Sequence, residues 1–413
     1  MKVTLIQPIH ADYKPIRKPN GGIFKPPQLT MPYIAACTPD EFEVEIYDEI
    51  IKPICMDEIG GDVVGITAVT PFVKRAYELA GFFRKRGQTV IIGGPHVSAL
   101  PHEALRYVDA VVVGEGDLLW PQALRDWKKK QLKPIYCNKG PLPLQGLPNP
   151  RWELLSPENY IIPHVVQASR GCPFKCNFCA LRTVFPTYRT RPINEVVEEV
   201  EKIPYRNIVF WDDNIIGDPT WAKSLFRELA PLNKRWYGQS TITIANSKQL
   251  VRLAEKSGCS GLFVGLESFS CRSLKEAEKR FNRVRKYKQQ IGLLRDHGIG
   301  VISGIMFGFD GDTCDTFETT LEGAIELGLA GISCSIATPY PGTPFFERLS
   351  REKRLKTTDW ARYTSDEVVF EPKNMSAGQL SNGHDWVAEK FYSCSSIFKR
   401  YARNHFFFHS KPS

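Results

Sequence analysis

The 413-residue chain is short of several things. No apolar run approaches the ~20 residues of a membrane-spanning helix, so no transmembrane segment is expected. No segment repeats at a fixed period and none is of low complexity, which sets aside solenoids and biased, unfolded tracts. The start, Met1-Lys2-Val3-Thr4-Leu5-Ile6-Gln7-Pro8, lacks the layout of a signal peptide and reads as a first strand. The expected location is therefore the cytoplasm, where eleven cysteines serve as thiols or cluster ligands rather than disulfides. The formal charge is +9, yet the basic residues are spread along the chain. Lys and Arg alternate with acids, as in Lys275-Glu276-Ala277-Glu278-Lys279-Arg280, and a mixed solvated helix face is the expectation there. Nucleic acid is not an expected partner. With 42% hydrophobic and 24% charged residues, the chain has enough length and apolar content for two domains.

What is present centres on Ser169-Arg170-Gly171-Cys172-Pro173-Phe174-Lys175-Cys176-Asn177-Phe178-Cys179. Its cysteines are spaced Cys-x-x-x-Cys-x-x-Cys on a turn containing Gly and Pro. Three thiolates are too few to close a zinc site, and no fourth Cys or His follows at short spacing; the next downstream are Cys259 and His297. A 4Fe–4S cluster held by three cysteines keeps one iron open to an outside ligand. The alternatives are three reduced thiols in a loop, or half of a zinc site. Cys259, Cys271, Cys314, Cys334 and Cys394 have no cluster spacing, so no second motif is expected.

The first third alternates strands and helices. After the opening strand comes the Gly/Pro-rich loop from Lys18 to Pro27, then a short helix Met31–Cys37 and a strand Phe42–Tyr47. Asp62–Ile66, Thr89–Ile92 and Ala110–Val113 read as buried strands, with a helix over Phe72–Arg86. Alternating elements predict a doubly wound parallel sheet, whose ligands sit at strand C-terminal ends. Thr67, Thr70, Gly93, Gly94, His96, Gly114 and Glu115 fall at those ends. Residues 128–160 read as an extended connector, with several prolines.

A second domain starts near Ile161. Its expected strands are His164–Ala168, Asn207–Trp211, Gly238–Ala245, Gly261–Ser268, Gly300–Gly308 and Gly331–Thr338, separated by helices such as Ser247–Ser257 and Val284–His297. Six βα units predict a partial barrel whose chemistry sits at strand C-termini. Arg182, Arg189 and Arg191 form either an anion clamp or a solvated basic loop. The chain closes with helix over Trp386–Lys399 and Phe406-Phe407-Phe408, for which docking on the barrel is expected.

The cysteine triplet resembles that of the radical S-adenosylmethionine (SAM) enzymes. Asp62-x-x-Gly65-Ile66-Thr67, Gly93-Gly94-Pro95-His96 and Gly114-Glu115-Gly116 resemble the cobalamin-binding domain that precedes many radical SAM barrels. The expected layout is a cobalamin-binding-type Rossmann-like domain over 1–135, a linker over 136–160, a radical SAM (βα)6 partial barrel over 161–345 and a C-terminal helical segment over 346–413. The resemblance implies a 4Fe–4S cluster on Cys172, Cys176 and Cys179, with SAM bound to its open iron and cleaved by one electron to a 5′-deoxyadenosyl radical. It implies SAM contacts from Phe178, Asp213, Gly265, Glu267, Ser268 and Met306, with Glu267 on the ribose hydroxyls, the alternative for Glu267 being a structural ion pair. Asp212 shares with Asp213 the expectation of a SAM or substrate contact, against a loop or cap role. Cobalamin contacts are implied for Thr67, Thr70, Gly93, Gly94, His96, Gly114 and Glu115. None of the eight histidines stands in an Asp-x-His-x-x-Gly setting, which implies a His-off cobalamin or a domain that has lost it. Thr338–Pro344 resembles a sixth-strand turn shaping the site.

The expected activity is methyl transfer to an unactivated carbon of a small-molecule or lipid-like substrate, driven by a flavodoxin- or ferredoxin-type reductant. No residue is singled out as acid, base or nucleophile. The alternatives are a radical rearrangement, cyclisation or C–C coupling without methyl transfer, and a cobalamin- or SAM-binding regulatory protein without turnover.

Overall fold

The structure is a computed structural model, and it describes residues 1–10, 13, 23, 25–138 and 140–400. The expectations for most of the Lys18–Pro27 loop and for Phe406–Phe408 lie outside the described residues. Two six-stranded sheets, both wholly parallel, organise the chain.

The first sheet contains β1 (Lys2–Gln7), β2 (Glu43–Asp48), β3 (Val63–Thr67), β4 (Thr89–Gly93), β5 (Ala110–Val113) and β6 (Ile135–Cys137), in the order β2-β1-β3-β4-β5-β6. Val, Ile and Leu dominate its central strands because both faces are covered. Val3, Leu5, Val63, Ile91 and Val112 pack against the helices Thr30–Ala36 and Leu119–Lys128. Val64, Ile66, Val90, Ile92 and Val111 pack on the other side against Val73–Lys85. The order reverses between β1 and β3. The C-terminal strand ends diverge there and leave a crevice.

The connector expected over 128–160 is not a free linker throughout: Ile135–Cys137 joins the first sheet beside β5, and Trp152–Leu154 and Pro157–Asn159 turn into short 3-10 helices. The chain then reaches β7 (Val165–Val166) and a two-stranded antiparallel ladder of β8 (Ser169–Arg170) and β9 (Arg189–Thr190). The second sheet adds β10 (Asn207–Phe210), β11 (Arg235–Ser240), β12 (Cys259–Glu267), β13 (Gly300–Phe307) and β14 (Gly331–Ile336), in the monotonic order β7-β10-β11-β12-β13-β14. The third strand of this sheet is Arg235–Ser240 rather than Gly238–Ala245, since Ile242–Asn246 turns into a short 3-10 helix. Its helices cover one face only. Trp236, Leu262, Val264, Val301, Ile305 and Phe307 are buried beneath them, whereas Tyr237, Phe263 and Ile302, on the other face, keep 38–48% exposure.

After β14, the helix Pro344–Arg351 is capped by Thr343. A strap then returns to the first domain, where Trp360 Nε1 donates to Glu103 at 3.0 Å and Asp359 pairs with Lys74 at 2.6 Å. The helix Ala377–Phe391 starts with a capping box of Ser376 and Gln379 and buries Leu380, Val387 and Phe391. No helix among the described residues is long and apolar enough to cross a membrane.

Candidate functional site

The cysteine loop leaves β8 through Gly171, whose φ is +82°. A Cβ there would stand 2.3 Å from the carbonyl oxygen of Thr187, so only glycine lets the loop's stem close. Asp213 accepts the Gly171 N–H at 2.9 Å, and Asp212 accepts Ala168 N–H at 3.2 Å and the Ser169 hydroxyl. Farther along, Asn177 is anchored through its backbone N–H to Ala277 O and its side-chain amide to Glu276 O at 2.7 Å, and Phe174 stacks on Phe281 with centroids 3.8 Å apart. The loop is thus pinned to the barrel at its start and in its middle.

Cys172, Cys176 and Cys179 are each partly exposed on this loop. Asn214 Nδ2 points at Cys172 Sγ at 3.8 Å. Burial pushes all three thiols up, Cys176 to about 12; Cys176 also feels the charges of Cys179 and Cys172, and Cys179 that of Cys172. Empty, the loop is protonated; loading it with metal releases protons. Among the described residues no three His, Cys, Asp or Glu form a ready cage for one metal ion. The donor set of three thiols on one loop fits a 4Fe–4S cluster, each sulfur holding one iron and the fourth iron left open.

Behind the loop, β12 ends at Glu267, which has φ +64°. Its carboxylate pairs with Lys279 Nζ at 2.6 Å, both side chains nearly buried. Lys279 therefore does not belong to the solvated face expected over 275–280. Burial works against its charge, but Glu267 and the nearby Cys176 outweigh it and hold the ammonium. The ion pair that was the alternative for Glu267 is present, at the cluster side of the barrel mouth. A Cβ on Gly265 would lie 2.2 Å from Glu267 Oε1 and 2.6 Å from Lys279 Nζ, so the glycine makes room for that pair. Ser268 Oγ is taken by the Ser270 N–H at 3.0 Å. Phe178 faces Phe309 at 6.0 Å, and Met306 is half-buried against the core.

The crevice of the first sheet opens into a cavity of about 530 Å³, within the range of small-molecule sites. Thr67, Thr70, Gly93, Gly94, Gly114 and Glu115 line one side of it. The other side comes from the flanks of the cysteine loop and from the barrel: Arg170, Leu181, Phe185, Trp211, Asp213 and Tyr340. Burial raises Asp213 to about 6 and Asp212 to about 7. Gly94 has φ +110°, and a Cβ on it would meet Ala68 O at 2.7 Å. His96 does not line the cavity. It is buried behind the wall, its ring nitrogens 3.2 Å from Thr70 Oγ1 and Glu103 Oε1.

Glu115 reaches the cavity, but its carboxylate is engaged by Arg170 and Arg189. Neither Arg189 nor Arg191 is a free clamp or a solvated residue. Arg191 pairs with buried Glu199, and only Arg182 stays exposed. Tyr340 places the Thr338–Pro344 turn in the cavity wall. The partnership of Arg170 with Asp117 escaped sequence reasoning, since 53 residues separate them and neither stands in a local pattern.

The Radical SAM superfamily profile matches residues 166–324. The chain is 30% identical over 395 residues to bacteriochlorophyllide d C-12(1)-methyltransferase of Chlorobaculum tepidum, covering 92% of this chain and 85% of that one. It is 27% identical over 351 residues to hopanoid C-2 methylase of Rhodopseudomonas palustris, covering 81% and 66%. In fold it is similar to the radical SAM methyltransferase TsrM of Kitasatospora setae, solved with cobalamin and a 4Fe–4S cluster, with a TM-score of 0.72, 15% identity, and 96% and 90% of the two chains covered.

Proposed function

Because the chain belongs to the radical SAM superfamily, in the branch that sets a cobalamin-binding-type domain before the barrel, we propose that it is a cobalamin-dependent C-methyltransferase acting on an unactivated carbon. The observation that carries this reading is the shared cavity: one wall is the switch-point crevice of the first sheet, the other the surroundings of the cysteine loop. When bound, the cluster, SAM and cobalamin supply the electron, the hydrogen-abstracting radical and the methyl group.

Cys172, Cys176 and Cys179 would hold the cluster. Phe178, Asp213, Gly265, Glu267, Ser268 and Met306 would surround SAM, with Lys279 holding Glu267 in place. Thr67, Thr70, Gly93, Gly94 and Gly114 would receive cobalamin. The apolar walls, among them Leu29, Leu181, Val184, Phe185 and Trp211, exclude water from the space between. We assign residues 1–137 to the cobalamin-type unit, two residues beyond the expected boundary because β6 closes the first sheet, 138–160 to the linker, 161–345 to the radical SAM unit and 346–413 to the C-terminal segment. The named relatives act on a bacteriochlorophyllide and a hopanoid, which supports a broad, largely apolar polycyclic substrate for this chain. A cytoplasmic flavodoxin or ferredoxin would be the electron donor.

Anaerobic incubation of reconstituted protein with SAM and dithionite tests the catalytic half of this reading. Release of 5′-deoxyadenosine is expected. With candidate polycycles added, S-adenosylhomocysteine and a product heavier by one methyl group are expected as well. Deoxyadenosine with an unmethylated, rearranged product would overturn methyl transfer.

A further inference from the structure

The cysteine loop is held at its stem by the other domain. Residues 171–188 form an excursion whose two ends are β8 and β9, with Arg170 opposite Arg189 in the ladder. Both arginines turn to acids just beyond β5. Arg170 Nη1 lies 2.9 Å from Glu115 Oε2 and 2.8 Å from Asp117 Oδ1, and Arg189 Nη1 lies 2.8 Å from Glu115 Oε1. Arg170 is also held over the Tyr33 ring at 4.9 Å and near the Phe185 ring at 5.7 Å, and its Nε donates to Gln167 at 2.8 Å. Glu115, Asp117 and Arg170 are 4%, 8% and 3% exposed.

Two formal positive and two formal negative charges meet here, largely out of water. Such a cluster adds little net stability over an apolar contact, but it strongly resists loss of any one member. It is therefore better suited to setting a register than to gluing two surfaces together. Its place supports this. Glu115, Asp117 and Arg170 all line the cavity, and Arg170 is bonded directly to Gly171, the residue before the first cysteine.

We propose that Glu115, Asp117, Arg170 and Arg189 are positioning residues that fix the cysteine loop against the interdomain cavity, so that occupancy of the cavity is transmitted to the loop. The link to cobalamin rests on the function proposed above; the clamp itself does not. Glu115 is then a tether between domains, both its carboxylate oxygens engaged by Arg170 and Arg189.

Hydrogen–deuterium exchange of the full apo chain tests it, comparing wild type with Asp117→Asn and with Arg170→Lys, which keeps the charge but loses the forked geometry. Exchange across 171–188 is expected to quicken about tenfold or more in both variants while 259–307 stays as in wild type. Adding hydroxocobalamin should slow the loop in wild type. In Arg189→Lys, altered at the one clamp member outside the cavity wall, it should bind and leave the loop's exchange unchanged. Uniform quickening over both sheets, or an unchanged loop in both variants, would overturn the clamp and leave a merely structural contact. If Asp117→Asn does not fold, Arg170→Lys decides the outcome. Should hydroxocobalamin fail to bind wild type, the cobalamin reading falls, and the apo comparison still decides the clamp.

Discussion

The two sheets have the same number of strands, all parallel, yet they build their candidate sites in opposite ways. The first reverses its order between β1 and β3 and is covered on both faces. Its site is made largely of backbone, at glycines after β4 and β5. The second runs in one direction, is covered along one face and only at β7 and β10 on the other, and its candidate site is made from side chains: thiols on the loop after the neighbouring β8, carboxylates after β10 and at the end of β12. A bulky ligand needs a crevice from which side chains are absent. A metal cluster and a charged cosubstrate need donors and charges brought to one place.

That contrast can be broken most severely at the loop. Cys172→Ala is expected to cut iron to near zero and abolish deoxyadenosine formation, while cobalamin binding by the first sheet persists; iron, cobalt and deoxyadenosine assays on one preparation check this. Loss of cobalamin as well would mean the two sites are not separable.

Next in size is Lys279→Met. It leaves the Glu267 carboxylate buried and unpaired, at a cost of about 3–5 kcal/mol. Denaturant unfolding followed by the fluorescence of buried Trp236 in β11 reads it. An unchanged midpoint would show that the pair is not integral to the second sheet.

In the first sheet the sensitive group is backbone. Gly94→Val forces a β-branched residue to φ +110° and a Cβ against Ala68 O, costing about 1–3 kcal/mol. Cobalt per chain should fall sharply with iron unchanged, the reverse of the cysteine variant.

The smallest effect concerns pH. Asp312 caps the turn after β13, accepting N–H groups from Gly308 and Phe309, and burial raises it to about 6. An acid whose pKa is higher folded than unfolded keeps its proton longer in the fold, so its contribution to stability falls as pH rises from about 4 to about 6. Asp312→Asn should remove that slope. Its stability relative to wild type should increase by about 1 kcal/mol across the window, a figure reduced for relaxation of the site. Unfolding curves at pH 4, 5, 6 and 7 supply the comparison.

How much could be read beforehand follows the same division. The runs Thr89–Ile92 and Ala110–Val113 announced central strands because burial on both faces leaves no polar alternation. The β11 boundary was misplaced because that strand is buried on alternate residues, so Arg235 and Tyr237 hid its start and the apolar residues after Ser240 suggested a continuation. β6 was missed because three residues after Pro134 carry little periodicity. The cysteine triplet was legible since its ligands are local. Lys279 was misread because its neighbours alternate in charge, while its partner Glu267 is reached only through the fold. His96 follows a strand end as a ligand contact would, but its ring turns inward to Thr70 and Glu103, a direction that spacing does not encode.

The decisive measurement is the metal content of the chain purified without oxygen in the presence of cobalamin. About four irons and about one cobalt per chain are predicted, one cluster on the loop and one corrinoid in the crevice. Iron at that level without cobalt would contradict the role given to the first sheet, and a chain with neither would contradict both.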